Sequence, residues 1–235
     1  ELVSRIKSVS LDKIVNHRRV IVPQLGATGV AAHIVNEETG FNVHYGPVRA
    51  QDLKGFLEAG YRATKEMRKV TFKLPDRIKL IPNDFVYGKF YLLGAMAVVY
   101  LISIISKHGF SMSNSLNDGL KGILNVFLAY CSGVVITPAL LPFIPFRRFA
   151  IKGFVAGILL SFILLFMNMI GDSLIENISW FLMISAISSF LAMNFTGSST
   201  FTSLSGVKKE MKTAVPLQIT FVAVGIILMI IGKLL

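Results

Sequence analysis

Two hydrophobic patterns divide this chain. Up to about residue 89, apolar positions come in short runs broken by charges, Gly and Pro; from residue 90 onward, long apolar runs are separated by short charged clusters. A membrane-spanning helix needs ~20 predominantly apolar residues. Five stretches qualify: residues 90–106, 122–146, 153–170, 178–195 and 214–232. Tyr87 and Gly88 extend the first. Pro138, Pro142 and Pro145 predict broken last turns in the second, because proline removes a helical hydrogen bond and clashes with the preceding turn. The fourth runs into a polar segment at Thr196.

The first 89 residues read as α/β. Leu2, Val3, Ile6 and Val9 follow helical spacing, and residues 12–15 suggest a further short turn. The β-branched run of residues 19–22, stopped by Pro23, suits a buried parallel strand. Gly26, Ala27, Thr28 and Gly29 form a small-residue loop. Residues 30–38 read as a helix closed by Gly40, and residues 41–45 as a second strand ended by Gly46 and Pro47. Residues 50–59 read as a second helix before Gly60, and residues 77–81 as a last strand before Pro82. This alternation predicts a doubly wound, Rossmann-like sheet with ligands at the carboxyl ends of its strands. The predicted binding edge comprises Gln24, Leu25, Gly26, Ala27 and Thr28 from one loop, and Gly46, Pro47, Val48 and Arg49 from the other. Glycine there lets backbone approach a large flat ligand, helix-start N–H groups can hold a phosphate, and Arg49 can add charge. Neither a dinucleotide fingerprint nor a Walker loop is present.

Composition narrows the class. Hydrophobic residues make up 53% of the 235 residues and charged residues only 16%, which excludes a disordered chain and a disulfide scaffold. The 24 Lys+Arg exceed the 13 Asp+Glu, giving a net charge of +11. With no nucleic-acid reader motif, that excess fits the positive-inside rule better than a nucleic-acid partner. Residues 1–89 hold 15 of the basic residues. If they are cytoplasmic, the inner loops carry Arg147, Arg148, Lys152, Lys208, Lys209 and Lys212. The outer side then has only Lys107, Lys121 and Lys233. The expected topology is multi-pass in the inner (cytoplasmic) membrane, N-terminal domain in the cytoplasm and C-terminus outside. The domains are expected at residues 1–86 and 87–235.

No span carries a charge near its middle and no inverted repeat is visible, so the membrane half reads as an anchor more than a conduit. Asn125, Asn168 and Thr137 are expected to hydrogen-bond between helices, and Gly153, Gly157 and Ser161 to form a close packing face. The single Cys131 excludes an intrachain disulfide and a multi-thiolate metal site; no metal ligands are assigned. His17, His33, His44 and His108 show no zinc-like i, i+4 pair, although His33 and His44 flank the predicted edge. The Thr196 to Ser205 stretch reads as a polar loop, and the Asn177 and Asn194 sequons as accidental.

At the loop residues a resemblance becomes specific. Val20-Ile-Val-Pro-Gln-Leu-Gly-Ala-Thr-Gly-Val-Ala-Ala-His33 and Gly40-Phe-Asn-Val-His-Tyr-Gly-Pro-Val-Arg-Ala50 resemble the corrinoid-binding domain of the mercury-methylation corrinoid protein family, relatives of the corrinoid iron–sulfur proteins. The likeness continues through Ala59-Gly60 and Glu66-Met-Arg68 to Pro82. It extends to a C-terminal membrane domain of about five helices, with further similar segments at Asn194-Phe-Thr-Gly197 and Thr202-Ser-Leu-Ser-Gly-Val-Lys-Lys-Glu-Met211. The resemblance implies a Rossmann-like corrinoid-binding domain, incomplete at its N-terminus, followed by an all-α domain of five transmembrane helices. It implies a cobalamin-type corrinoid, with cobalt, that accepts a methyl group from a methyl-folate or methyl donor protein and passes it to Hg(II). A small dicluster ferredoxin is the implied electron donor, and the protein is implied to be a corrinoid-dependent methyltransferase. The family's cobalt-ligand motif, N-V-W-C-A-A-G-K, does not occur here. With Glu1 rather than Met at the start, a preceding segment is expected, and catalytic residues stay unassigned. The alternatives are a corrinoid methyl carrier for another acceptor, and a small transporter or channel with a cytoplasmic domain.

Overall fold

The computed structural model describes residues 1–104, 112–195 and 204–235. The chain forms two compact units, Glu1–Thr71 and Phe72–Leu235.

The first unit runs α1 (Leu2–Ser8), α2 (Leu11–Ile14), β1 (Arg19–Val22), a 3-10 turn (Gln24–Thr28), α3 (Ala32–Thr39), β2 (Asn42–Tyr45), a second 3-10 turn (Ala50–Asp52) and α4 (Leu53–Glu58). β1 and β2 pair in parallel, from Arg19 opposite Asn42 to Val22 opposite Tyr45. Parallel neighbours need a crossover, which the turn and α3 supply. Ile6, Val35 and Phe41 form the core, with Leu2, Val3, Leu11, Val20 and Val43 packed around them. Gly40 ends α3 with φ +72, a left-handed conformation that costs glycine little.

The Rossmann-like expectation is corrected here. Among the described residues the only sheet has two four-residue strands, and the rest of the regular structure is helical. Residues 77–81, expected as a strand, belong instead to α5 (Leu74–Ile78) and the start of α6 (Ile81–Ser103). The reason lies in proline. Pro75 and Pro82 occupy first-turn positions of these helices, where a missing N–H costs nothing and the fixed φ favours the helix. The Asp76 carboxylate accepts the Lys73 N–H at 3.0 Å and secures the start of α5. Residues 50–59, expected as one helix, split into the second 3-10 turn and α4.

The second unit continues with α7 (Met112–Cys131), a π-helical turn (Ser132–Ile136), α8 (Thr137–Ala139), α9 (Phe149–Phe166), α10 (Leu174–Asn194) and α11 (Leu204–Leu234). Five helical segments are long and apolar enough to cross a membrane: Leu74–Ser103, Leu116–Ala139, Phe149–Phe166, Leu174–Asn194 and Ser205–Leu234. The chain is thus a multi-pass membrane protein. Pro138 follows the π-helical turn, and regular helix ends at Ala139, as the proline cluster predicts.

α10 is the central helix, packing against α7, α9 and α11. Its contact with α9 depends on glycine. A Cβ on Gly153 would lie 2.5 Å from the Ser188 carbonyl oxygen and from the Ala192 Cβ; one on Gly157 would lie 2.7 Å from the Ser185 Cα. From the other side, a Cβ on Gly133 would lie 2.8 Å from the same Ser188 oxygen. Lipid tails are as apolar as Leu, so helices associate through such close packing and through hydrogen bonds. Ser132 Oγ meets Ser188 Oγ at 3.0 Å, Ser179 Oγ donates to the Gly225 carbonyl at 2.7 Å, and Asn125 Nδ2 donates to the Met169 carbonyl at 3.1 Å. Thr137 instead donates to the Ser132 carbonyl of its own helix, and Asn168 ends α9 with φ +55.

Substituting Gly157→Val should lower stability by about 1–3 kcal/mol, the usual cost of overpacking. Gly94→Ala, where no atom lies within 4 Å of the added Cβ, should leave it unchanged. Thermal unfolding in detergent micelles checks this; equal midpoints for the two variants would refute the packing account.

Candidate functional site

The two predicted loops meet at the carboxyl end of the parallel strands. Gly46 N–H donates to the Val22 carbonyl at 2.8 Å, extending the ladder one step past β2, and Gln24 N–H reaches the Pro47 carbonyl at 3.4 Å. Gln24, Leu25, Gly26, Ala27 and Thr28 form the 3-10 turn, held by Gly26 N–H to the Pro23 carbonyl at 2.8 Å and Gly29 N–H to the Gly26 carbonyl at 3.0 Å. Gly46, Pro47 and Val48 run beside it, and Val48 N–H is anchored on the Met67 carbonyl at 2.9 Å. Arg49 is directed elsewhere: its guanidinium donates to Thr71 Oγ1 at 2.7 Å and to the Thr71 carbonyl at 3.2 Å. It braces the end of the unit.

The glycines serve packing inside the unit. A Cβ on Gly26 would sit 2.8 Å from Val22 Cγ1, and one on Gly46 would sit 2.8 Å from Ile21 Cγ2. They draw the loops onto the strands, and Leu25 stands out as a 60% exposed apolar side chain at the edge.

A second feature lies beside the strands. Arg19, His33, Asn36, Asn42, His44 and Tyr61 line an open depression of about 870 Å³. Arg19 lies 5.2 Å above the Tyr61 ring, and the His44 and Tyr61 rings are 5.1 Å apart. Asn36 Nδ2 donates to Asn42 Oδ1 at 2.9 Å. Gly60 and Tyr61 both have left-handed backbone, φ +66 and +65, which is uncommon for Tyr and turns its ring toward His44. His33 and His44 thus share one surface, while His17 accepts the Arg19 N–H at 3.4 Å. Arg19, Asn36 and Tyr61 carry no sequence signal of this grouping, because the crossover and the left-handed turn bring them together.

Among the described residues no three His, Cys, Asp or Glu side chains gather as a metal site. Cys131 is a free thiol, half-buried at the end of α7. His108, Lys107 and most of the Thr196 to Ser205 stretch lie outside the described residues. The loop edge, with small side chains, close backbone and exposed Leu25, suits contact with a flat ligand but supplies no thiolate. No family model, curated protein or solved structure matches the chain.

Gly46→Ala should open the strand pair, with faster amide exchange in residues 19–22 and 42–45 of the intact chain. Leu25→Ala should leave exchange there unchanged. The same pattern in both variants would show that Gly46 is not what holds the edge together.

Proposed function

We propose that this chain is a membrane-anchored corrinoid protein that delivers a methyl group to inorganic Hg(II), producing methylmercury. One observation carries the reading: the two segments that resemble the mercury-methylation corrinoid family, residues 20–33 and 40–50, fold as two parallel strands whose following loops lie side by side. Five apolar helices follow in the same chain, the membrane half that the resemblance implies. When bound, a corrinoid would supply the methyl-transfer chemistry. The chain's own residues hold and shield. Leu25, the Gln24–Thr28 backbone and the Gly46–Pro47–Val48 turn would hold it at the strand ends, with Leu25 against its apolar surface. The positive-inside distribution supports an inner-membrane topology with the N-terminal unit in the cytoplasm and the C-terminus outside. The partners this reading calls for are a methyl-folate or methyl donor protein and a dicluster ferredoxin.

The test uses the intact chain in detergent, loaded with hydroxocobalamin and passed through a desalting column. Retention of about one corrinoid per chain is expected. Leu25→Asp should weaken retention by about tenfold, the effect of losing one largely buried apolar contact. Loading with methylcobalamin and adding Hg(II) should yield methylmercury, measured by gas chromatography. Failure to retain any corrinoid would overturn the proposal. Retention without methylmercury would overturn the Hg(II) acceptor.

A further inference from the structure

The link between α8 and α9 displays apolar and cationic side chains together. Residues 140–148 run from the end of α8 at Ala139 to the start of α9 at Phe149. Both flanking helices belong to spanning segments, so these nine residues turn the chain at one membrane surface. Pro142 and Pro145 keep regular helix from continuing through the turn.

The link is fastened from beneath. Leu141 is buried with Phe149 and Phe195, and Phe72 and Leu80 pack beside them. The Arg77 guanidinium donates to the Pro138 and Ala139 carbonyls, each at 2.8 Å, and Lys152 Nζ donates to the Leu141 carbonyl. The Phe143 N–H closes a turn on the Leu140 carbonyl at 2.9 Å. Held this way, the backbone leaves Phe143 79% exposed and Phe146 44% exposed. Arg147 and Arg148 follow at once and are exposed as well. Neither guanidinium has an ion-pair or hydrogen-bond partner among the described residues. The nearby Glu210 carboxylate is occupied elsewhere, accepting the first-turn N–H of Ala150 at 2.6 Å. Lys208, Lys209 and Lys212 flank Glu210 on α11 and are exposed, which keeps this end of the bundle cationic.

The pairing of features selects the occupant. A link between two spanning helices meets the headgroup layer before it meets anything else, and exposed phenylalanines there can enter the boundary of headgroup and acyl chain. Guanidinium matches phosphate oxygens in a two-pronged geometry. Two cations without a counter-charge call for a head of net negative charge, which phosphatidylcholine lacks, and basic residues at an anionic leaflet are drawn to its surface. We propose that residues 140–148 form a site for anionic phospholipid, with Phe143 and Phe146 entering the boundary layer and Arg147 and Arg148 holding lipid phosphates. This inference rests on the membrane unit alone and is independent of corrinoid binding.

The intact chain, reconstituted in nanodiscs of equal phosphatidylglycerol and phosphatidylcholine, tests it by native mass spectrometry of the lipids that stay bound. At least one phosphatidylglycerol per chain is expected, in preference to phosphatidylcholine. Arg147→Gln with Arg148→Gln should lower that preference about tenfold and leave the thermal midpoint unchanged, because both side chains are exposed. Lys208→Gln with Lys209→Gln should keep the preference, and glycerol 3-phosphate should not displace the lipid. Phe143→Trp adds an indole to a chain whose one other Trp, Trp180, is buried. Its emission should be quenched by lipids brominated along the acyl chain, beyond the quenching seen in the unaltered chain. Equal retention of the two lipids, a preference that survives the arginine changes or is lost equally with the lysine changes, displacement by glycerol 3-phosphate, or no added quenching would each overturn the proposal.

Discussion

The membrane unit depends on how closely backbone can approach backbone at α10. In hydrocarbon, burial of apolar surface gives helices no reason to prefer one another over lipid. Specificity must come from contact distance and from polar groups that lipid cannot satisfy. α10 meets both needs at the same positions. Its buried serines, Ser179, Ser185, Ser188 and Ser189, are small enough to admit Gly133, Gly153, Gly157 and Gly225 of the neighbouring helices. Three of them also have hydroxyl partners across those seams. A larger side chain at any of these contacts would separate the helices and strand the hydroxyls together.

The ends of the bundle follow a second logic. Where regular helix stops near Pro138, carbonyl oxygens are left without helical donors. Long basic side chains reach them: Arg77 donates to the Pro138 and Ala139 carbonyls, each at 2.8 Å, and Lys152 donates to the Leu141 carbonyl. Glu210 accepts the first-turn N–H of Ala150 at 2.6 Å, tying α11 to the start of α9. At the opposite end Lys233 pairs with Asp118 at 2.5 Å and Glu176 at 3.5 Å, joining α7, α10 and α11. The charges thus lie at the ends of the spans, where long side chains can satisfy freed backbone groups at little cost in desolvation.

This division explains what the sequence makes legible. Apolar run length marks the five spans because a bilayer imposes a minimum length, and the Gly153, Gly157 and Ser161 stripe marks the α9–α10 seam because small residues at helical spacing have few other uses there. The start of α6 is hidden, since Pro82 after the apolar pair Leu80 and Ile81 is equally a strand stop and a first-turn helix proline; only the neighbouring cap on α5 decides. The doubly wound sheet fails as an expectation for a related reason. Strand–loop–helix alternation fixes local order but not how many strands pair, and here two suffice to cover Phe41 and Val35. The meeting of the Gln24 and Gly46 loops is legible because strand ends in one crossover unit must be adjacent. The grouping of His33, His44 and Tyr61 is not, because it depends on left-handed backbone at Gly60 and Tyr61.

Gln218 is the least legible residue of all, one of two polar side chains, with Thr220, in the apolar run of α11. Its meaning comes from a relay across three helices. The Ala150 carbonyl at the start of α9 takes the Ser189 proton on α10, which obliges Gln218 on α11 to donate. The orientation of the Gln218 amide is therefore set by the α9–α10 seam. The seam that excludes larger side chains thus also fixes a polar contact between α10 and α11.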